Sequence, residues 1–174
     1  QGRTIGDFPF FKVGDMNSEG NKEEMNNANH WITKEDAKRK GYRVTPAGTI
    51  IFPKIGGAIS TNKKRMLIRD SVYDNNVMGL IPNDKVLPSF LFWWLKGFDI
   101  TRWASDSALP SMKKTTIEST KIPLPPIGEQ RKIVGKIEKL FAKIDEAKKL
   151  NAEVAVELAA LSASILDKAF KNEL

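Results

Sequence analysis

Ile122-Pro123-Leu124-Pro125-Pro126-Ile127-Gly128-Glu129-Gln130 divides the chain into two unlike parts. The prolines lack N–H donors and bias the residues before them away from helix, so residues 121–126 must be extended. Glu129 then stands where an acidic side chain favours a helix start. Downstream, one long apolar repeat runs to the end of the chain. Upstream, short apolar runs alternate with turn residues, as in a loop-rich α+β domain. The predicted domains are residues 1–127, a compact head, and residues 128–174, a helical stalk.

In the stalk, Ile133, Ile137, Leu140, Ile144, Ala147, Asn151, Val154, Leu158, Leu161 and Ile165 alternate steps of four and three. This 3.5-residue repeat favours left-handed packing against another helix. Asn151 takes an a position, where a buried amide lowers stability but penalises misregistered pairings. A helix over residues 129–170 would be about 60 Å long at about 1.5 Å per residue. Such a rod needs a partner helix, from the same protein or from a second copy. The charges flanking the seam read as a solvated face.

In the head, Phe8-Pro9-Phe10-Phe11-Lys12-Val13 is a strand candidate ended by Gly14-Asp15. Residues 16–30 are rich in Asn, Glu and Met and read as a loop. Thr33 caps a short helix, with Asp36 in the capping-box position, that ends near Lys40-Gly41. Thr49-Ile50-Ile51-Phe52-Pro53 is a buried-strand candidate, followed by Gly56-Gly57, which permits a sharp bend or a close backbone approach. Met66-Leu67-Ile68 and Val77-Met78-Gly79-Leu80-Ile81 are further strands, and Pro82-Asn83-Asp84 is a turn. Ser89 precedes an apolar helix, Phe90-Leu91-Phe92-Trp93-Trp94-Leu95, which ends at Lys96-Gly97. Its aromatic rings suit a core packed on a sheet better than a base-stacking platform. Thr115-Thr116-Ile117-Glu118 is a short turn or helix.

The formal charge is +7, and residues 1–127 carry 19 Lys and Arg against 13 Asp and Glu. The basic excess therefore sits on the head. A basic domain attracts polyanions, of which nucleic acid is the commonest large one. No apolar run of about 18 residues suggests a membrane span. With no cysteine there is neither a disulfide framework nor a thiolate metal site, which is compatible with the cytoplasm. Gln1 is not an initiator residue, so the chain is expected to begin inside a longer protein. Enzyme signatures are poor. His30 is the sole histidine and lies in a polar loop, no cluster has metal-ligand spacing, and Gly-x-Gly-x-x-Gly is lacking.

The junction and stalk resemble the specificity subunit of type I restriction–modification enzymes. Its spacer reads as Ile-Pro-Leu-Pro-Pro followed by Glu-Gln, a basic residue and Ile-Val. Here that is Ile122 to Pro126, then Glu129-Gln130-Arg131-Lys132-Ile133-Val134. The end of the chain, from Ser164 to Leu174, is similar to the family's distal helix end. Upstream, three segments resemble its target recognition domain in the expected order: Pro9 to Asn17, Gly48 to Gly56, and Asn75 to Pro82. The family often has Gln-Pro-Asn before the spacer. This chain has Leu109-Pro110-Ser111, so base contacts by a Gln and an Asn there do not carry over.

The resemblance implies a mixed-sheet target recognition domain followed by a coiled-coil spacer helix. It implies recognition of one half of a split double-stranded DNA target. The stalk would pair antiparallel with a second spacer helix, from a second copy or a missing half. Methyltransferase subunits carrying S-adenosylmethionine, and ATP-driven motor–nuclease subunits, would be partners in the cytoplasm. The chain itself would bind no cofactor. Leu124-Pro125-Pro126-Ile127 lacks the acid or amide and the aromatic of the partner methyltransferases' Asn/Asp-Pro-Pro-aromatic motif. Lys63-Lys64-Arg65, between two strands, suits phosphate contacts; Ser111, Lys113, Lys114, Thr115 and Thr116 form a second polar, basic loop. Asn17 and Lys54 are further candidates. Two other readings stand beside this one: the recognition part of a single-chain restriction–methylation enzyme, and a coiled-coil adaptor with no role on DNA.

Overall fold

A computed structural model of the chain describes residues 3–171. Contacts divide it into two units, Gln1–Lys132 and Ile133–Leu174. The first unit holds two small sheets. Strands β1 (Phe8–Phe11), β3 (Trp31–Ile32) and β6 (Val72–Tyr73) form one, in the order β3-β1-β6. Strands β2 (Glu24–Met25), β4 (Ile50–Pro53), β5 (Arg65–Leu67) and β7 (Val77–Leu80) form the other, in the order β2-β5-β4-β7. Each sheet contains parallel and antiparallel pairs, so both are mixed.

β4 is the spine of the head. All four of its residues are buried. Successive strand side chains point to opposite faces, and both faces are covered. Ile50 and Phe52 pack with Leu91, Phe92 and Leu95 of helix α2 (Pro88–Gly97) and with Ile59, Ile100 and Trp103. Ile51 faces the other way, into a cluster with Phe11, Met16, Met25, Leu67 and Val77. Burial on both faces explains why this strand is an unbroken apolar run. The α2 aromatics belong to the core, as expected. Phe90 and Phe92 are buried, and the Trp94 ring stacks on Phe98 at 5.1 Å. Pro88 occupies the first turn of α2, where its missing N–H costs nothing.

Helix α1 (Lys34–Arg39) begins at Thr33, whose hydroxyl accepts from Asp36 N–H at 3.1 Å. Past its end, Gly41 has φ +65°, the left-handed conformation that glycine takes without penalty. Gly56-Gly57 open a 3-10 helix, Gly56–Thr61, where the sequence permits a sharp bend or a close approach. Residues 16–30 are more ordered than a polar loop. Asn21 is fully buried, donates to the Asp15 and Asn27 carbonyls, and accepts from the Asn26 and Asn27 N–H groups. That amide folds the segment around itself and delivers β2 to the sheet edge.

Helix α3 (Lys114–Glu118) precedes the extended segment 121–126, and helix α4 runs over Ile127–Phe170. At 44 residues α4 is about 66 Å long. It starts directly after Pro126, whose carbonyl accepts from Glu129 and Gln130 N–H. Gln130 is fully buried in the first unit. Its Oε1 accepts from Leu87 N–H at 2.9 Å, and its Nε2 donates to the Lys85 and Pro125 carbonyls at 2.9 and 2.8 Å. One amide thereby joins the loop before α2, the proline segment and the helix start.

In the second unit the seam is exposed beyond Ile137, which is half-buried. Leu140 is 61% exposed, Leu158 59% and Leu161 57%, and Ile144, Val154 and Ile165 are exposed with them. Asn151 is exposed in the middle of the row. The described part of the chain ends at Lys171, so the end of the motif from Asn172 to Leu174 lies outside the described residues.

Replacing Gln130 by Leu leaves one buried N–H and two carbonyls without their partner. Urea unfolding is expected to show a loss of about 3 kcal/mol, from an unpaired-group cost of roughly 1–3 kcal/mol each, partly relieved by water. A loss within about 0.5 kcal/mol, the range of an ordinary surface change, would show that the amide does not hold the junction.

Candidate nucleic-acid interface

Strand register gathers the candidate side chains at one end of the four-stranded sheet. β4 runs antiparallel to both β5 and β7, with Ile51 opposite Arg65 and Pro53 opposite Val77. The exit of β4 therefore lies beside the entries of β5 and β7. β2 is parallel to β5, with Glu24 opposite Met66, so its entry lies at the same end. Lys22, Lys54, Lys63 and the Asn75-Asn76 turn all occupy these strand ends. A further pairing brings Ser111 beside Ile55, and Met112 N–H donates to the Lys54 carbonyl at 2.9 Å.

The residues fall into two groups. In the first, Lys22, Lys63, Lys64, Arg65 and Lys96 line a concavity of about 340 Å³ with Thr61 and Asn62. Lys63 donates to Asn17 Oδ1, which brings Asn17 to the same place. Every ionisable group lining it is cationic. Two acids stand nearby: Glu23 pairs with Lys96 at 3.2 Å, and Asp99 lies close enough to Lys64 to act on its charge.

Lys64 and Arg65, expected as phosphate contacts, are also engaged within the fold. Lys64 is 1% exposed, and its ammonium donates to Asn62 Oδ1 and to the Phe98 carbonyl, each at 2.7 Å. Asn62, held in the left-handed region at φ 52°, also accepts from Ile100 N–H at 3.1 Å. The buried ammonium thus ties the β5 entry to the turn after α2. Burial pushes the Lys64 pKa down to about 8, against the opposing pull of Asp99 and with help from Lys96. The Arg65 guanidinium donates to the Met16, Asn21 and Lys64 carbonyls, and burial lowers its pKa, opposed by Glu23. Both side chains are spent on the fold. Lys22 and Lys63 keep the more accessible charge, and Lys22 and Lys96 reach the concavity only through pairing and packing distant in sequence.

In the second group, Lys54 and Lys114 line a larger concavity of about 720 Å³ with Tyr42, Arg43, Tyr73 and Asn75. Lys113, Lys114, Thr115 and Thr116 are exposed and stand at the start of α3, the short helix expected over Thr115–Glu118, so this basic segment is not a loop. Lys114 pairs with Glu118 at 3.3 Å along that helix. Ser111 is partly buried and pinned by its backbone, which exchanges hydrogen bonds with Ser105. Among the described residues no group of acids and histidines could hold a metal ion, and no helix is long and apolar enough to cross a membrane.

The chain matches the type I restriction modification DNA specificity domain over residues 3–156, and it belongs to that family. Over 96 residues it is 35% identical to the type I restriction enzyme EcoDI specificity subunit of Escherichia coli; the match covers 53% of this chain and 22% of that protein. The EcoBI specificity subunit of Escherichia coli is 34% identical over 93 residues, covering 51% and 20%. Two solved structures share the fold at 22% identity. One, from work on complex assembly and conformational transition of the type I R-M system, has a TM-score of 0.73 and covers 98% of this chain and 40% of that one. The other, the HsdS subunit from Thermoanaerobacter tengcongensis, has a TM-score of 0.65 and covers 97% and 39%. The chain therefore spans a fifth to two fifths of the proteins it resembles.

The folded state holds Lys64 near pKa 8, below its ordinary 10.5. Between these values the unfolded chain binds more protons, so this group's contribution to stability rises with pH. Relative to a Lys64→Met variant, wild-type unfolding free energy is expected to increase from pH 8 to pH 10 in urea titrations. A difference that stays flat would mean that the ammonium is not desolvated.

Proposed function

We propose that this chain reads one half of a bipartite double-stranded DNA target and holds the reading head on a measuring rod. The carrying observation is the convergence of accessible cations at one end of the four-stranded sheet, in a chain of the specificity family. Lys22 and Lys63 offer only donors, the chemistry that phosphate oxygens accept. They position the head on the duplex, while Lys54, Ser111 and the start of α3 lie on the same end beside the groove.

The exposed seam supports the second half of the proposal. A row of Ile, Leu and Val at 3.5-residue spacing is stable in water only when another helix covers it. A second spacer helix running antiparallel, from another copy or from the rest of a longer protein, would put two heads at opposite ends of a rod. Rod length then sets the unread gap, as dimer geometry sets half-site spacing in other DNA readers. Methyltransferase subunits dock on this scaffold and supply S-adenosylmethionine and the methyl transfer. Motor–nuclease subunits bring ATP and cleavage. The chain itself is non-catalytic, holds no cofactor and works in the cytoplasm.

Replacing Lys22 and Lys63 together by Glu tests the phosphate-facing side, in the complex with the methyltransferase subunits. Affinity is expected to fall about equally for all sequences. The slope of log K against log salt should flatten by about one for each phosphate that is no longer neutralised. Unchanged affinity and slope would remove this concavity from the interface.

A further inference from the structure

The two concavities at the sheet end differ in chemistry. The ionisable groups of the smaller are all cations. The larger mixes both signs, being lined by Arg43, Lys54 and Lys114 together with Asp74 and Glu118, and by the apolar Val77 and Leu80. Phosphates present acceptors alone. Base edges in the major groove present donors, acceptors and the thymine methyl group. A lining of mixed charge and apolar groups therefore suits bases, and a cationic cup suits phosphates.

Two side chains in this lining are built to point outward. Arg43 is exposed, and among the described residues its guanidinium has neither a hydrogen bond nor an ion pair. Its backbone is pinned on both sides. Before it, Tyr42 N–H donates to the Ala37 carbonyl at 2.9 Å and the Tyr42 ring packs on Phe10 at 5.4 Å. After it, Thr45 bridges to Ser71. Asn75 is likewise exposed and without a side-chain partner among the described residues. It sits at the tip of a tight turn in which both Asp74 carboxylate oxygens accept from Asn76. Val77 N–H closes that turn onto the Asp74 carbonyl at 3.2 Å. A carboxylate spent on its own turn makes a stiff mount for the residue it carries. Deeper in, the concavity keeps its shape because residue 79 is glycine: a Cβ there would lie 2.6 Å from Tyr73 Oη.

We infer that the concavity bounded by β7, the β6–β7 turn and α3 is the base-reading surface, with Arg43 and Asn75 as direct readers. The inference rests on the DNA-reading function proposed above. Its ligand is the major-groove edge of double-stranded DNA. Arg43 would donate to the two acceptors of guanine, and Asn75 would pair its amide with adenine, the contacts their geometries favour. Neither residue belongs to the segments in which sequence patterns placed the interface.

The test is selection from a random duplex pool by the complex with the methyltransferase subunits. Wild type, Arg43→Ala, Asn75→Ala, Asn75→Asp and Lys63→Ala are compared. Arg43→Ala and Asn75→Ala are each expected to relax preference at one position of the selected half-site. Affinity for the wild-type site should drop about tenfold to a hundredfold, with the salt slope unchanged. Asn75→Asp keeps the side chain's shape but only accepts, so its position should shift towards cytosine. Lys63→Ala should weaken all sequences alike. If the Arg43 and Asn75 variants select the wild-type half-site with unaltered preferences, the base-reading assignment is overturned while DNA reading stands. A wild-type complex that selects no sequence overturns the DNA-reading function, and this assignment falls with it.

Discussion

The pairing of β4 with β5 and β7 is the constraint on which the rest of the head depends. It is an energetic constraint because β4 is buried on both faces. A slip of one residue would send Ile51 to the α2 side and Ile50 and Phe52 to the other, against two cores of different shape. It is a functional constraint because the same register fixes which loops share an end of the sheet. Segments around positions 22, 54, 63 and 75 are far apart in sequence and meet only through it. Candidate site and core are thus set by one interaction.

That arrangement divides the cations by burial. Lys63, Lys64 and Arg65 are neighbours in sequence with the same formal charge, yet Lys64 is buried, Arg65 is bound to backbone carbonyls, and Lys63 bonds an exposed side chain, Asn17. The buried ammonium of Lys64 is stabilised by Asn62 and the Phe98 carbonyl, and Arg65 is spread over three carbonyls. A buried charge must be paired or hydrogen-bonded, and here carbonyl oxygens do most of that work. The cost is visible in the lowered Lys64 pKa. A run of basic residues therefore states where positive charge enters the fold, and solvent exposure decides which of those charges can meet a ligand.

Much of this was legible in the sequence. The proline junction, the seam, the buried β4 run, the α2 core helix and the capped α1 all follow from period and punctuation, and the structure places them where those signals point. The two-residue strands β2, β3 and β6 were not legible, because two residues carry no period. The order around Asn21 was also hidden: a buried amide satisfying four backbone groups looks in sequence like any asparagine in a polar loop. The same limit applies at the interface. Burial of Lys64, recruitment of Lys22 and Lys96, and the outward mounting of Arg43 and Asn75 are products of long-range pairing, which local pattern does not encode.

In the proposed function the exposed row on α4 connects the head to a distance. Its spacing calls for a covering helix, and in an antiparallel pair each added turn moves two heads apart. The most direct measurement inserts one heptad after Glu146, and its equivalent in every other spacer helix of the assembled complex, then maps the DNA that the complex selects. Seven residues lengthen the rod by about 10.5 Å, close to three base pairs at about 3.4 Å each. The account expects the same two half-sites, separated by a gap about three base pairs longer. An unaltered gap with both half-sites retained would contradict the rod as the ruler.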